Sequence, residues 1–366
     1  MKKKPAIIDA DGHLHEDAQG IASRLPSPFG DMRIFSRPNF PYRNLFPPID
    51  HLHTSFRESP ATLSGRGRIE PVDWLRFLDD VGIETTVLYP SSGLASGRTA
   101  YVDEAVALCT AYNDWVSSSY AKFSPRFRPV GLLPMQDPEA AVAELRRIVT
   151  KLGLVGAMLP ANGLKGHLGS REYWPVYEEA NRLECALGIH GGVHSGLGLD
   201  HMTQFAAVHG LGHPFGVMVS FAGLVGNGVF DRFPNARFGF LEAGVAWMLL
   251  MIERLSGSNR SFTQPDPRGH LLKLKGNEQV RDYIKRHVEA GRIYIGSEGD
   301  EPSLPHAISM LGNRPFLFSS DFPHEVTNET CKEEIHELQE NEALTDADKD
   351  AVLGGNAVRF YNLKGR

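Results

Sequence analysis

Ile7-Ile8-Asp9-Ala10-Asp11-Gly12-His13-Leu14-His15-Glu16, near the start of the chain, decides how the rest is read. A short apolar run, Pro5 to Ile8, passes abruptly into carboxylates and imidazoles, the pattern of a buried strand that ends at a site. Side chains alternate along a strand, so Asp11 and His13 share a face roughly 7 Å apart, and both can reach one ion. A buried carboxylate without a partner costs on the order of several kcal/mol, and a cation removes that cost. A surface turn after an edge strand is the competing reading, because Asp, Gly and His are ordinary turn residues.

Working outward, further strand-like runs fall at 85–90, 127–133, 154–159, 186–191, 236–242, 292–296 and 316–321. Several are apolar without alternation, as Val155-Gly156-Ala157-Met158-Leu159 and Phe316-Leu317-Phe318 show, which suits parallel strands covered on both faces. Helical patterns separate them: 71–81 closed by Gly82, 101–122, 138–151, 172–184, 246–255 and 303–311, with 200–230 helical in part and an acidic helical tail from Thr330. Eight β-α repeats predict an α/β fold, a TIM-like (β/α)8 barrel occupying 1–366 as a single domain. A doubly wound open sheet competes, but no Gly-x-Gly-x-x-Gly follows the first strand. Residues 17–69, rich in Pro, Arg, Gly and aromatics, have no sustained period and read as a long insertion after strand one, a lid over the site.

In such a barrel the chemistry sits at the C-terminal ends of the strands. Strand one ends in Asp11 and His13, strand five in His190-Gly191-Gly192, strand six in Glu242, strand seven in Glu298 and strand eight in Asp321-Phe322-Pro323-His324. One His after an apolar strand is more often a hydrogen-bonded core or turn residue, but five coincidences make a ring of carboxylates and imidazoles. That ring predicts a divalent metal, Zn or Mn, with Fe as the alternative. His194, Arg57 and His324 are expected on the substrate side, Arg57 because a guanidinium grips a carboxylate with two bonds. His51, His53 and Arg66 in the insertion and His201 after strand five are weaker candidates. No Gly-x-Ser-x-Gly marks a serine nucleophile.

Composition narrows the class. The 366 residues are 42% hydrophobic and 22% charged, with a formal net charge of -6, so no basic footprint for nucleic acid or an acidic membrane is present. No stretch reads as a membrane span or a secretory leader. Cys109, Cys185 and Cys331 are odd in number and widely spaced, which predicts free thiols and a cytoplasmic setting. A small-molecule substrate is the expected partner, and a homo-oligomer is compatible with this composition.

Four stretches together resemble the amidohydrolase-related family, the branch with aminocarboxymuconate semialdehyde and resorcylate decarboxylases: the strand-one motif, His190-Gly191-Gly192, Gly228-Val229-Phe230-Asp231-Arg232-Phe233-Pro234 leading to Leu241-Glu242-Ala243-Gly244, and Ser320-Asp321-Phe322-Pro323-His324. Asn356 to Tyr361 resembles the family's C-terminal helix. The resemblance implies a metal-dependent hydrolase or non-oxidative decarboxylase acting on a small carboxylate- or carbonyl-containing substrate. Its metal would rest on Asp11, His13, His190 and Asp321, with Asp321, Glu242 and His190 acting in catalysis. Asp11 stands where most members have a His, although resorcylate-type members carry an acidic residue there. Glu242 stands where many members have a His used for proton delivery. The surplus carboxylates open a second reading, a carboxylate-rich diiron monooxygenase using Asp11, His13, Glu16, His190, Glu242, Glu298 and Asp321. A catalytically inactive binding subunit is the third.

Overall fold

A computed structural model of the chain describes residues 6–30, 45–49 and 68–363. The first strand, Ile8–Leu14, is buried at every position and pairs in parallel with the second, Thr85–Pro90. The third position is shared by two short pieces, Phe127–Pro129 and Gly131–Leu132, so the expected 127–133 strand is broken at Val130. Strands four to eight follow as Gly156–Pro160, Ala186–His190, Arg237–Leu241, Ile293–Ser297 and Phe316–Phe318, each parallel to its neighbours.

The ladder is continuous in two arcs of three and six strands, and backbone bonds join them. Val130 N donates to Leu88 O, and Val155 N to Pro129 O, across the broken third strand. On the other side His13 N donates to Phe322 O, and Asp321 N to Asp11 O, so the segment after strand eight returns to strand one. Asp9 fastens the same seam. Its fully buried carboxylate accepts from Thr86 Oγ1 at 2.6 Å, Ser320 N at 2.9 Å and Ser320 Oγ at 3.0 Å, tying strands one, two and eight. Four donors, counting Asp11 N at 3.2 Å, offset part of the desolvation of that charge, though burial still raises the carboxyl above its ordinary range. Together these bonds close an eight-position parallel barrel.

A register shift between Asp9 and Gly12 re-aims the end of strand one. A Cβ at residue 12 would lie 2.5 Å from Trp74 Cη2 and 2.7 Å from Asp9 Oδ2, so only glycine lets the strand pass there. Trp74 belongs to the helix Pro71–Val81, which runs where its apolar spacing predicts and ends at left-handed Gly82. Its indole Nε1 donates to His13 O at 3.2 Å, so the helix also props the C-terminal end of strand one. The C-terminal helix Asn356–Phe360 seals the opposite region, with Asn356 Nδ2 donating to Asn313 O and Phe316 O.

Three sequence expectations change. The 101–122 helix is Val102–Val116 followed by a wider turn, Ser117–Ala121. Residues 316–321 form a strand only to Phe318, because Ser319 to Asp321 turn to meet strand one. The 200–230 region holds a 22-residue helix, Phe205–Gly226, long and apolar enough to cross a membrane by length and composition alone; 50% of that apolar window is buried. Within the 17–69 insertion, Ala18–Ala22 is a short helix. Residues 45–49 meet the loops after strands two and five: Arg98 Nη1 donates to Pro48 O and His194 N to Ile49 O. Arg57, His51, His53 and Arg66 lie outside the described residues.

Candidate metal centre

Strand ends bring four donors to one point. His13 Nε2 lies 3.2 Å from His190 Nε2, 3.6 Å from Asp11 Oδ1 and 3.4 Å from Asp321 Oδ1. His190 Nε2 is 3.4 Å from Asp11 Oδ2. Asp11, His13 and His190 are at most 1% exposed. Strand burial delivers the imidazoles, and a turn delivers the last carboxylate: Asp321 has φ +53°, as Glu242 has φ +51°. Left-handed backbone at a non-glycine costs on the order of 1–3 kcal/mol, and it aims both carboxylates into the barrel mouth.

The tautomers follow from the second nitrogens. His13 Nδ1 is 2.8 Å from Pro90 O, and His190 Nδ1 is 2.8 Å from Gly191 O. Carbonyls only accept, so both Nδ1 atoms carry the proton and both Nε2 lone pairs face the common point. Two acceptors at 3.2 Å flanked by two carboxylates repel unless a cation lies among them. Asp11 Oδ1, buried and without a hydrogen-bond partner, points the same way. The electrostatics agree. Burial raises Asp11 to about 6 against the pull of His190, and drives His13 well below its ordinary range. Burial pulls His190 down, yet Asp11 and Glu242 overcome it and raise it to about 9, the sign of a site rich in negative charge. The donor set, two imidazoles and two carboxylates, suits Zn or Mn.

His324 stands behind Asp321. Its Nδ1 is 2.8 Å from Asp321 Oδ1, its Nε2 is 3.0 Å from Ser91 Oγ, and its ring lies 4.2 Å from that of His13. Burial opposes its charge, but Asp321 outweighs burial and raises it to about 10. Glu242 occupies the far side of His190, with Oε2 3.4 Å from Nδ1, and lies 3.2 Å from His213 Nδ1. Burial favours its neutral form, while the imidazoles of His213, His190 and His13 hold it well below the carboxylate range. His194 is buried with Nε2 3.3 Å from His213 Nε2.

Three expected ligands are not brought to that point: Glu242, which lies behind His190, Glu16 and Glu298. Glu16 accepts from Ser92 N at 3.1 Å and Gly93 N at 2.7 Å, so both its oxygens are committed to the loop after strand two. Glu298 lies on the rim, where burial and the charges of Glu301 and Asp321 raise it to about 7. His15 Nδ1 accepts from Ile69 N at 3.2 Å instead of facing the donors. His209 and His213 were missed by sequence reading, although an i, i+4 histidine pair on one helix was a signal. Glu334, whose helix Asn328–Glu340 reads from sequence as an acidic tail, lines a cavity of about 480 Å³ with Glu242, Glu298 and Asp321.

Comparison with known proteins agrees with this architecture. A 2-amino-3-carboxymuconate-6-semialdehyde decarboxylase of Dictyostelium discoideum is 27% identical over 286 residues, covering 78% of this chain and 74% of that protein. A gamma-resorcylate decarboxylase of Polaromonas sp. JS666 is 28% identical over 316 residues, covering 79% and 86% respectively. Among solved structures, a dihydroxybenzoic acid decarboxylase from Polaromonas sp. JS666 with bound manganese and the inhibitor 2-nitroresorcinol superposes with a TM-score of 0.67 at 21% identity, covering 99% of this chain and 98% of that one. The model of the family described as Amidohydrolase matches residues 8–363, and the chain belongs to that family of metal-dependent enzymes.

Proposed function

We propose that this chain is a metal-dependent, non-oxidative decarboxylase of a small acid whose carboxyl group sits on an electron-rich unsaturated carbon. The observation that carries the reading is the convergence of Asp11, His13, His190 and Asp321 donors around His13 Nε2, at 3.2–3.6 Å. Both named sequence relatives and the named solved structure are decarboxylases, and none is an oxygenase.

The reaction needs a proton on the carbon that bears the carboxyl group. The new C–H bond forms, the C–C bond breaks, its electron pair returns to the unsaturated system, and carbon dioxide leaves. A divalent ion held by Asp11, His13, His190 and Asp321 would neutralise and orient the substrate's oxygens. The protein's own part is proton handling and placement. Asp321, on the cavity wall, is hydrogen-bonded to His324 Nδ1 at 2.8 Å, and Ser91 fixes the far edge of that imidazole. Glu242 sets the orientation of His190 from behind. The described insertion residues 45–49 meet the loops after strands two and five beside this end, through Pro48 O and Ile49 O.

The test is to load purified protein with Mn2+ or Zn2+ and measure carbon dioxide released from a panel of hydroxybenzoates and unsaturated dicarboxylates. Release from at least one acid, lost in Asp321→Asn, is expected. No release from any acid, together with turnover of an ester, lactone or amide panel by the same loaded protein, refutes decarboxylation in favour of hydrolysis.

A further inference from the structure

The mouth of the barrel holds a second group of ligand type that the mechanism above does not use as such. His209 and His213 lie one turn apart on the helix Phe205–Gly226, and with Glu242 they offer three donor atoms within 4.8 Å of one another. None of the three belongs to the Asp11, His13, His190 set. Glu242 Oε2 and His213 Nδ1 are both buried and face each other at 3.2 Å. The His213 side chain is only 9% exposed, so its ring is fixed and desolvated with one nitrogen aimed at the carboxylate.

The surroundings also call for positive charge. The cavity onto which the group opens is walled by Glu298, Asp321, Glu325 and Glu334, and no Lys or Arg lines it among the described residues. Carboxylates brought together without cationic partners favour an added cation.

We propose that His209, His213 and Glu242 bind a second divalent ion of borderline type, such as Zn2+, Mn2+ or Fe2+, next to the first centre. Two imidazoles and one carboxylate from protein leave coordination positions open towards the cavity, so a substrate oxygen or water completes the set. His190 stands between the groups, its Nε2 towards the first and its Nδ1 3.4 Å from Glu242 Oε2. The proposal stands on this geometry whether or not the chain is a decarboxylase.

Equilibrium dialysis of metal-stripped full-length protein against Mn2+, and separately Zn2+, with elemental analysis, counts the ions. Two per chain are expected in the wild type and one in His213→Ala; His190→Ala, which removes only a ligand of the first centre, should keep the other. His209→Gln, at a half-buried position on the helix, tests the site should His213→Ala fail to fold; it should weaken the second ion by at least about 100-fold while the first remains. Co2+ loading adds a spectroscopic readout, since the two ions should titrate as separable absorption changes. A wild-type protein that saturates at one ion with both metals overturns the proposal, and so does a His209→Gln protein that keeps two ions with unchanged affinity.

Discussion

Carboxylates in this molecule fall into two regions with opposite electrostatics. On the helical layer clusters of carboxylates are matched by protein cations: Glu179 accepts from Arg146 at 2.9 Å and Arg182 at 2.6 Å, and Arg286 reaches Asp231 and Glu278, each at 2.8 Å. The Arg182 and Arg146 hydrogen bonds hold Glu179 down at about 2 despite its burial. At the barrel mouth burial acts with no arginine lining the cavity among the described residues: Glu298 is raised to about 7 and Glu334 to about 8, with neighbouring carboxylates adding to the effect. The first arrangement is complete within the chain and the second is not. The difference separates structural charge from charge assembled for something the chain binds.

The largest effect that sharpens this contrast comes from a metal ligand. Asp11→Asn or His190→Ala should remove the first ion and lower kcat/KM by on the order of 10³-fold or more, the several kcal/mol a metal contributes. Steady-state assays beside elemental analysis check it, with circular dichroism showing the fold retained. Glu242→Gln should cost less, about 10–100-fold in activity or in affinity for the first ion, since it touches that centre only through His190. Full activity with full metal content would reduce Glu242 to a packing residue.

Removing a structural carboxylate should do the reverse, lowering stability while leaving metal content unchanged. Glu144→Ala strips the partner from Asn113 Nδ2 at 2.6 Å and from Arg147, and should cost about 1–3 kcal/mol in a denaturant titration. Glu16→Gln should fall on that structural side too, costing about 1 kcal/mol through a weakened contact with the Ser92 and Gly93 amides. Loss of an ion from this variant would restore Glu16 as a ligand.

The smallest effect is in pH dependence, where the two regions have opposite signs. Glu298 and Glu334 have folded pKa values of about 7 and about 8, above the ordinary 4.5, so their contribution to stability is present below 4.5 and is lost as pH rises through 7 to 8. Glu179 lies below its ordinary value, so its contribution is present above 4.5 and is lost as pH falls towards 2. In metal-free protein Glu298→Gln should therefore raise the melting temperature near pH 8 and not below pH 4, whereas Glu179→Gln should lower it near neutrality. Equal shifts at both ends of the range would erase the distinction.

Why part of the site was legible follows from the same physics. Asp11, His13 and His190 end apolar strands, where the period of two and the barrel rule place a side chain from sequence alone. Asp321 was legible for position but not for the left-handed turn that aims it. Glu16 looked equally ligand-like, since nothing local reveals that two backbone amides from a loop 76 and 77 residues away capture its carboxylate. Glu334 and the His209/His213 pair enter the mouth from helices, and which helix face meets a barrel rim depends on packing that one sequence does not state. The eight strand positions were readable because each is a short apolar run between breaks; the fracture at Val130 was not, because Phe127 to Leu133 is apolar enough to pass as one strand.

The most direct test of the central claim is anomalous diffraction at the manganese edge from crystals equilibrated with Mn2+. A peak within about 2.5 Å of both His13 Nε2 and His190 Nε2, in contact with Asp11 and Asp321, is the predicted result. A saturated crystal with no density among those four residues, and the His13 and His190 nitrogens still 3.2 Å apart, would contradict it.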